Sequence, residues 1–150
     1  MTQLSGPEKA RFIGEMFGRI APRYDLLNTV MTGGMHHRWR DLTAKLATHE
    51  HNRFDVERPA LDIGTGTGDL ALNLVHRLGP RRVVALDFAI PMLRMALAKT
   101  KSRGFEQPVA FLAADALVLP FGSDTFLCVT CGFTLRNVID VRQALAEMTR

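Results

Sequence analysis

The sequence predicts an open α/β fold of the Rossmann type, in which a parallel sheet carries helices on both faces. From residue 59 onward, apolar runs of strand length alternate with helical patterns, the order that right-handed crossovers between parallel strands produce. A glycine-rich segment, Gly64 to Asp69, follows the first run, and Asp87 and Asp115 follow the next two. Because the carboxyl ends of parallel strands meet at one edge of a sheet, these residues also predict a nucleoside-binding edge.

The composition indicates a folded chain with a core of its own. Of the 150 residues, 47% are hydrophobic, and no apolar run approaches the roughly 20 residues that span a bilayer. The net charge of +4 is spread along the chain, so nucleic acid is not an expected partner. The N-terminal residues lack the pattern of a secretory signal, and we therefore expect a cytoplasmic location.

The first 58 residues predict a helical cap on the substrate side, and residues 59–150 predict the sheet domain. Ser5-x-x-Glu8 resembles a capping box that begins a first helix, and Pro22 is expected to end it. A second helix is predicted from Tyr24 to Met31 and a third from about His36 to Ala47, with Trp39, Leu42 and Leu46 on one side. Residues 48–58 are polar and aperiodic, as in a linker.

Four strands are predicted in the sheet domain, at roughly 60–63, 82–87, 109–113 and 126–131. Helices are expected to begin near Asp69, Ile90 and Val138, with a longer loop around residues 117–124. The pattern stops inside the last helix and leaves the fourth strand at an edge, so we expect a C-terminally truncated chain whose last strands are missing. Cys128 and Cys131 lie three apart in a strand and point to opposite faces, which favours core cysteines over a metal or redox site.

The spacing of the glycine-rich loop favours S-adenosylmethionine over a dinucleotide. Dinucleotide sites use G-x-G-x-x-G and hold a pyrophosphate at the helix N-terminus, whereas this loop reads G-x-G-x-G and ends in Asp69, which would repel a pyrophosphate. Asp87 is expected to accept the ribose hydroxyls, and Asp115 or the Asp115–Ala116 backbone to reach the adenine amino group. The structural alternatives are a tight turn, helix caps at Asp69 and Asp87, and a loop start at Asp115. An NAD(P)-dependent reductase is the weaker functional alternative.

Two further segments resemble the ubiquinone/menaquinone biosynthesis C-methyltransferases, the demethylmenaquinone methyltransferase family. They are Tyr24-Asp25-x-x-Asn28 followed by His36-x-x-Trp39, and Phe133-x-Leu135-Arg136-Asn137. The resemblance covers residues 9–150 and implies a Rossmann-like class I S-adenosylmethionine-dependent methyltransferase with an N-terminal helical cap. It implies cofactor contacts at Thr67, Asp87 and Asp115–Ala116. With their neighbours, the predicted cofactor-binding residues are Asp62, Gly64, Thr65, Gly66, Thr67, Gly68, Asp69, Asp87, Phe88, Asp115 and Ala116.

The resemblance implies an enzyme that transfers a methyl group to a ring carbon of a reduced prenylated quinone, as from demethylmenaquinol to menaquinol. Arg136 is then a candidate to hold the developing phenolate and Asn137 to orient it, while Tyr24 and His36 are candidates to cover the ring and relay a proton. Their structural alternatives are caps of the last helix for Arg136 and Asn137, a core position for Tyr24, and pairing of His36 with Asp41. No residue pattern predicts a metal.

The expected partner is a small prenylated quinol, with peripheral membrane contact and a homodimer left open. Phe12, Phe17, Met31 and Met35 suit a mouth for an isoprenoid tail, although we expect most of them to pack on the sheet. The family has an aspartate where this chain has Leu127, and it continues past Arg150 with a K-P-G-G turn and three more strands. The alternatives are therefore a small-molecule O- or N-methyltransferase, and a truncated remnant that is inactive or binds the cofactor weakly.

Overall fold

A computed structural model describes residues 12, 15–17, 19–49, 58–78, 82–104 and 109–150. The predicted capping box at Ser5 to Glu8 and residues 50–57 of the predicted linker lie outside these ranges. Within them, helical residues up to Ile20 lead through a 3-10 turn, Ala21–Arg23, into the first bounded helix. The elements that follow are α1 (Tyr24–Thr32), α2 (Met35–His49), β1 (Ala60–Ile63), α3 (Asp69–Leu78), β2 (Val83–Asp87), α4 (Ile90–Ser102), β3 (Val109–Ala113), β4 (Cys128–Cys131) and α5 (Val141–Thr149).

The four strands form one parallel sheet in the order β3-β2-β1-β4, as the alternation of strands and helices predicts. Ile63, the last residue of β1, is level with Leu86 of β2 and Cys131 of β4. The strand order changes direction beside β1, so the loops after β1 and β4 diverge and leave a crevice at the carboxyl edge.

Most predicted boundaries are confirmed, and the last helix is the main correction. The bounds of β1 and β3 are those predicted, whereas β4 begins at Cys128 and is shorter than expected. The last helix begins at Val141 rather than near Val138, because the Asp140 side chain caps it by accepting a hydrogen bond from the Gln143 N–H at 3.0 Å. The residues before it form a turn closed by a 2.8 Å bond from the Asn137 N–H to the Thr134 carbonyl.

The core has one layer on each face of the sheet. On one face, Ala60, Val83 and Ala85 pack with helical side chains that include Leu74 of α3 and Ala44 of α2. On the other face, Leu61, Ile63 and Leu86 pack with loop and α5 residues that include Leu119 and Met148. Cys128 packs with the first cluster and its neighbour Val129 with the second, so successive residues of β4 serve opposite layers.

The N-terminal helices bury less apolar surface than the sequence suggests. α1 contains no buried residue, and the side chain of Met31 is 80% exposed. α2 buries His36 and Ala44, whereas Trp39, Leu42 and Leu46 lie on its exposed side. The expectation that most of Phe12, Phe17, Met31 and Met35 pack on the sheet is wrong, since only Phe17 is half-buried, edge-on against Tyr24. Among the described helices, none is both long and apolar enough to cross a membrane.

Candidate functional site: a cleft over the glycine-rich loop

The loop between β1 and α3 depends on glycine for both its conformation and its contacts. Gly64, Gly66 and Gly68 all have positive φ, at 64°, 56° and 86°. A Cβ on Gly64 would lie 1.9 Å from the Thr134 Oγ1 atom, so the segment after β4 rests directly on the loop. The loop is therefore closely covered at Gly64, whereas a Cβ on Gly66 would meet only the Tyr24 ring, at 3.8 Å.

Three adjoining cavities form one cleft along the carboxyl ends of the strands, and all three include Gly64. The first is mainly apolar and has Asp115 at its wall. The second lies over Asp87 and is closed by Tyr24. The third ends at Asp62 and Arg40. The cleft thus runs from an apolar end, lined by Phe88, Ala116, Leu117, Val138 and Ile139, to a charged end.

Asp87 lies at the middle of the cleft and binds the backbone on both sides of it. Its Oδ2 accepts a hydrogen bond from the Gly66 N–H and its Oδ1 one from the Ala89 N–H, each at 2.8 Å. Burial raises the pKa of Asp87, and these backbone N–H groups oppose that rise. Since each carboxylate oxygen has a second lone pair, Asp87 holds the loop and still presents acceptors to the cleft.

Asp115 and Ala116 frame the apolar end of the cleft. The Asp115 Oδ1 atom accepts a 2.9 Å hydrogen bond from the Leu117 N–H, which fixes the turn after β3, and Ala116 is buried beneath it. The loop start that was the structural alternative for Asp115 is therefore present. The same residue also lines the cleft, so both interpretations apply to it.

Two buried polar atoms at the charged end of the cleft have no hydrogen-bond partner among the described residues. They are the Asp62 Oδ2 and the Thr65 Oγ1 atoms. The other Asp62 oxygen, Oδ1, accepts a 2.9 Å bond from the Thr130 hydroxyl of β4. Burial raises the pKa of Asp62 to about 6, and the negative charge of Asp87 acts in the same direction. A carboxylate left in this state is suited to a cationic ligand group.

A cluster of charged residues joins the loop to the N-terminal helices. The Lys99 Nζ atom of α4 lies 2.6 Å from the Asp25 Oδ2 atom of α1, 2.9 Å from the Asp69 Oδ1 atom and 3.0 Å from the Thr67 hydroxyl. Thr67 donates to the Asp25 Oδ1 atom at 2.6 Å, and Arg40 of α2 binds the Asp69 Oδ2 atom at 2.8 Å. Although burial opposes it, hydrogen bonding from Lys99 and Thr67 holds the pKa of Asp25 below its usual range.

This cluster changes the role expected of Asp69 and Thr67. Both oxygens of Asp69 are paired within the protein, so its charge is compensated by Lys99 and Arg40 rather than left for a ligand. The hydroxyl of Thr67 is likewise hydrogen-bonded within the protein, to Asp25 and Lys99, so only its backbone is left to bind a ligand. Cofactor contacts of these two residues stay a prediction.

The structure brings two of the four candidate catalytic residues to the cleft. Tyr24 and Asn137 line it, and Tyr24 also packs edge-on against Phe17. Arg136 is exposed and lies over the Phe133 ring at 5.7 Å, outside the residues that line the cavities. The structural alternative for Arg136 and Asn137, caps of the last helix, is wrong, because Asp140 caps that helix.

His36 does not line the cleft. It is 1% exposed, and its Nδ1 atom lies 2.8 Å from the Thr32 hydroxyl. Burial, and then the charge of Arg40, lower the pKa of His36, so the ring is neutral at pH 7. Its alternative partner, Asp41, pairs with Arg77 at 2.5 Å instead. A proton relay from His36 to a ring bound in the cleft lacks a direct path in this arrangement.

Sequence reasoning missed Arg40, Lys99 and Thr134, which all contact the loop from distant positions. A signal for Arg40 was present, because His36, Arg40 and Ala44 recur every four residues and lie on the buried side of α2. Lys99 sits in a stretch with two other basic residues, Lys101 and Arg103, and nothing local distinguishes it from a solvated charge.

The residues of the cleft fit the chemical groups of S-adenosylmethionine in order. An apolar slot with Asp115 suits adenine, Asp87 suits a ribose, and the unpartnered Asp62 and Thr65 atoms with Arg40 suit a charged amino-acid end. A bare loop with positive φ allows close approach of the ligand backbone. A pyrophosphate fits less well, because the buried Asp62 and Asp87 carboxylates border the loop, whereas the charge of Asp69 is compensated by Lys99 and Arg40.

Known relatives of this chain are quinone-pathway methyltransferases. Demethylmenaquinone methyltransferase of Roseiflexus sp. (strain RS-1) is 43% identical over 150 residues, which is 99% of this chain and 59% of that protein. The same-named protein of Thermus thermophilus is 47% identical over 90% of this chain and 58% of its own length. A ubiquinone/menaquinone biosynthesis C-methyltransferase of Pseudomonas putida is 39% identical, at 95% and 54% coverage. The chain thus spans somewhat more than half the length of each of these relatives.

Solved structures agree on the fold. An S-adenosylmethionine-dependent methyltransferase of Methanococcus maripaludis superposes with a TM-score of 0.68 at 20% identity, over 89% of this chain and 57% of that one. The [4+2]-cyclase SpnF superposes with a TM-score of 0.72 at 24% identity, over 97% and 57%. The chain therefore shares the Rossmann-like class I fold of these structures. The ubiE/COQ5 methyltransferase family matches residues 4–150, and the chain belongs to that family.

Proposed function

We propose that this chain binds S-adenosylmethionine and forms the cofactor-binding part of a C-methyltransferase acting on a reduced prenylated quinone. The observation that carries the proposal is the cleft, whose apolar, acidic and charged parts follow the order of adenine, ribose and amino-acid end. The names of the relatives, demethylmenaquinone methyltransferase among them, support a quinol ring as the methyl acceptor.

In this proposal each part of the cleft has a distinct task. Asp87 accepts the ribose hydroxyls while its bonds to Gly66 and Ala89 hold the loop in place. The Asp115–Ala116 turn receives the adenine, and Asp62 accepts the ammonium group. The bound cofactor supplies an electrophilic methyl group on a sulfonium. Orienting that methyl against the acceptor carbon is the largest task of the site.

The acceptor ring requires a dry aromatic wall and a group that stabilises a phenolate. Tyr24, Phe133 and Asn137 border the middle of the cleft, which supports a role for the Asn137 amide in orienting a ring oxygen. Arg136, which precedes Asn137 in the chain, lies over the Phe133 ring. Its positive charge would therefore act on an acceptor ring that is bound against Phe133. These roles rest on proximity and on the family resemblance. His36 holds α1 to α2 through Thr32.

Titration calorimetry and a methyl-transfer assay together test the proposal. We expect S-adenosylmethionine to bind and NADH not to bind, because the loop is surrounded by acids. Transfer of labelled methyl to demethylmenaquinol, but not to a simple phenol, would support the quinol C-methyltransferase. Methylation of the phenol would favour the O- or N-methyltransferase. Cofactor binding without transfer would support the truncated, inactive remnant, and no binding would refute the proposal.

We further propose that the exposed side of α1 and α2 meets the isoprenoid tail at a membrane surface, with the chain otherwise in the cytoplasm. Support comes from an apolar stripe that includes Val30 at 73% and Met31 at 80% exposure. We expect co-sedimentation with anionic lipid vesicles and its loss in Met31→Glu. Arg77→Met, away from the stripe, is the control. A concentration-dependent dimer in sedimentation velocity, unaffected by vesicles, would assign this surface to a homodimer instead.

A further inference from the structure

Arg40 lies where α2 crosses the charged end of the cleft. Its side chain is 12% exposed, and it lines the same cavity as Asp62, Thr65 and Gly66. It belongs to an N-terminal helix and not to the sheet, so it approaches the loop from the side of the cavity that α2 forms. The cavity therefore has a cation on its α2 wall and a carboxylate on its β1 floor.

Most of the hydrogen-bonding capacity of Arg40 is unused among the described residues. One nitrogen, Nη1, binds the Asp69 Oδ2 atom at 2.8 Å. The charge of Asp69 is shared with Lys99, which binds its other oxygen at 2.9 Å. A guanidinium carries five N–H donors in a planar fork that matches a carboxylate, so Arg40 retains donors for a second anion.

The opposite wall of this cavity complements a cation. The Asp62 Oδ2 and Thr65 Oγ1 atoms are buried acceptors without a partner among the described residues, and both residues are less than 9% exposed. An acceptor pair facing an unsaturated guanidinium, within one small cavity, fits a zwitterion. An α-amino-acid head group, with its ammonium and carboxylate on one carbon, has this arrangement of charges.

We propose that Arg40 binds the carboxylate of the amino-acid end of S-adenosylmethionine and makes the site specific for ligands that carry it. This inference rests on the proposed function, because it assigns one end of the same ligand. Arg40 is then a residue of the helical cap that completes the cofactor site. It makes cofactor affinity depend on the position of α2.

Decarboxylated S-adenosylmethionine, which lacks only the carboxylate, tests this assignment by calorimetry. We expect the wild-type chain to bind S-adenosylmethionine roughly 10- to 100-fold more tightly than the decarboxylated compound, the range for a hydrogen-bonded ion pair. In Arg40→Met, binding of S-adenosylmethionine should fall to the level of the decarboxylated compound, and binding of the latter should change little. Arg40→Lys keeps the charge without the fork and should retain part of the preference.

Arg77→Met is the matched control, because it breaks an exposed ion pair between the same two helices, with Asp41. It should leave the ratio of the two affinities unchanged. The inference is overturned if Arg40→Met weakens both ligands equally, which would mean a structural role, or if the wild-type chain does not distinguish them. Failure of the wild-type chain to bind either ligand would instead refute the proposed function. Thermal unfolding of each variant establishes that it is folded.

Discussion

At the scale of single residues, Asp62 combines two opposed properties. The residue is 1% exposed, and one of its carboxyl oxygens has no hydrogen-bond partner in the part of the chain that the structure describes, which destabilises the charged form inside the protein. The same unpartnered oxygen is what makes the residue useful to a cationic ligand. Such conflicts between stability and binding concentrate at functional sites.

The substitution Asp62→Asn should therefore stabilise the folded chain and weaken the binding of the cofactor. The pKa of Asp62 is about 6 when folded, against 3.8, so the wild-type protein loses stability as the pH rises through this interval. The difference corresponds to roughly 3 kcal/mol at most. Urea unfolding should show Asn more stable than Asp at pH 8, with most of the gain gone at pH 4.5. A gain that is independent of pH would contradict this cause.

The groups around Asp62 do not reverse the sign of that dependence. Asp87 of β2 faces it with a like charge, and Arg40 of α2 acts against the rise, as does the Thr130 hydroxyl, which donates to the Asp62 Oδ1 atom. S-adenosylmethionine affinity should follow the opposite trend, falling below about pH 6 as the carboxylate is protonated. Asp62→Asn should bind weakly at every pH, and calorimetry across pH 5 to 8 measures both.

At the scale of elements, α1 is held to the sheet by a few contacts. It buries no residue, so its attachment depends on the Asp25 contacts with Lys99 and Thr67, on Tyr24 and on its junction with α2. An element with little buried apolar surface opens at low free energy unless polar contacts hold it. The cluster of Lys99 with Asp25, Thr67 and Asp69 is therefore a clasp, that is, the polar contact that holds α1 to the glycine-rich loop.

Lys99→Met should loosen α1 while the sheet stays folded. The change leaves Asp25 and Asp69 without their shared cation, at sites where Lys99 itself is 17% exposed. We expect amide exchange in residues 24–32 to rise about tenfold or more. Exchange in β1 and β2 should stay unchanged. Lys101→Met, an exposed lysine of the same helix, is the control, and equal exchange in both variants would contradict the clasp.

At the scale of the whole molecule, the sequence predicts the sheet better than it predicts the site. The strands β1 and β3 are apolar runs in a parallel sheet, β1 buried throughout and β3 at its edge, and such a run is a local signal that needs no knowledge of partners. The sequence predicts the start of α5 near Val138, because that region looks helical, whereas the Asp140 cap sets the boundary at Val141.

Site residues escaped prediction where their contacts are long-range. Asp87 and Asp115 can be predicted from their positions after strands, and both line the cleft, whereas Arg40 and Lys99 contact Asp69 from 29 and 30 residues away. The opposite difference occurs on α2. Its apolar side, formed by Trp39, Leu42 and Leu46, has the pattern of a core face but is exposed. Periodicity shows which residues share a face, and it does not show which face is covered.

The strand order also sets when the cleft can form during folding. Ala60 of β1 pairs with Val83 across a short stretch of chain, but its other neighbour, Cys128, is 68 residues away. Long loops close later than short ones, so we expect the β1–β2–β3 ladder to form before β4 docks. Thr130 and Thr134, which complete the floor and the roof over Gly64, arrive only with that last docking. The cofactor can then stabilise only the chain in which β4 has docked. A partly folded chain gains no stability from it.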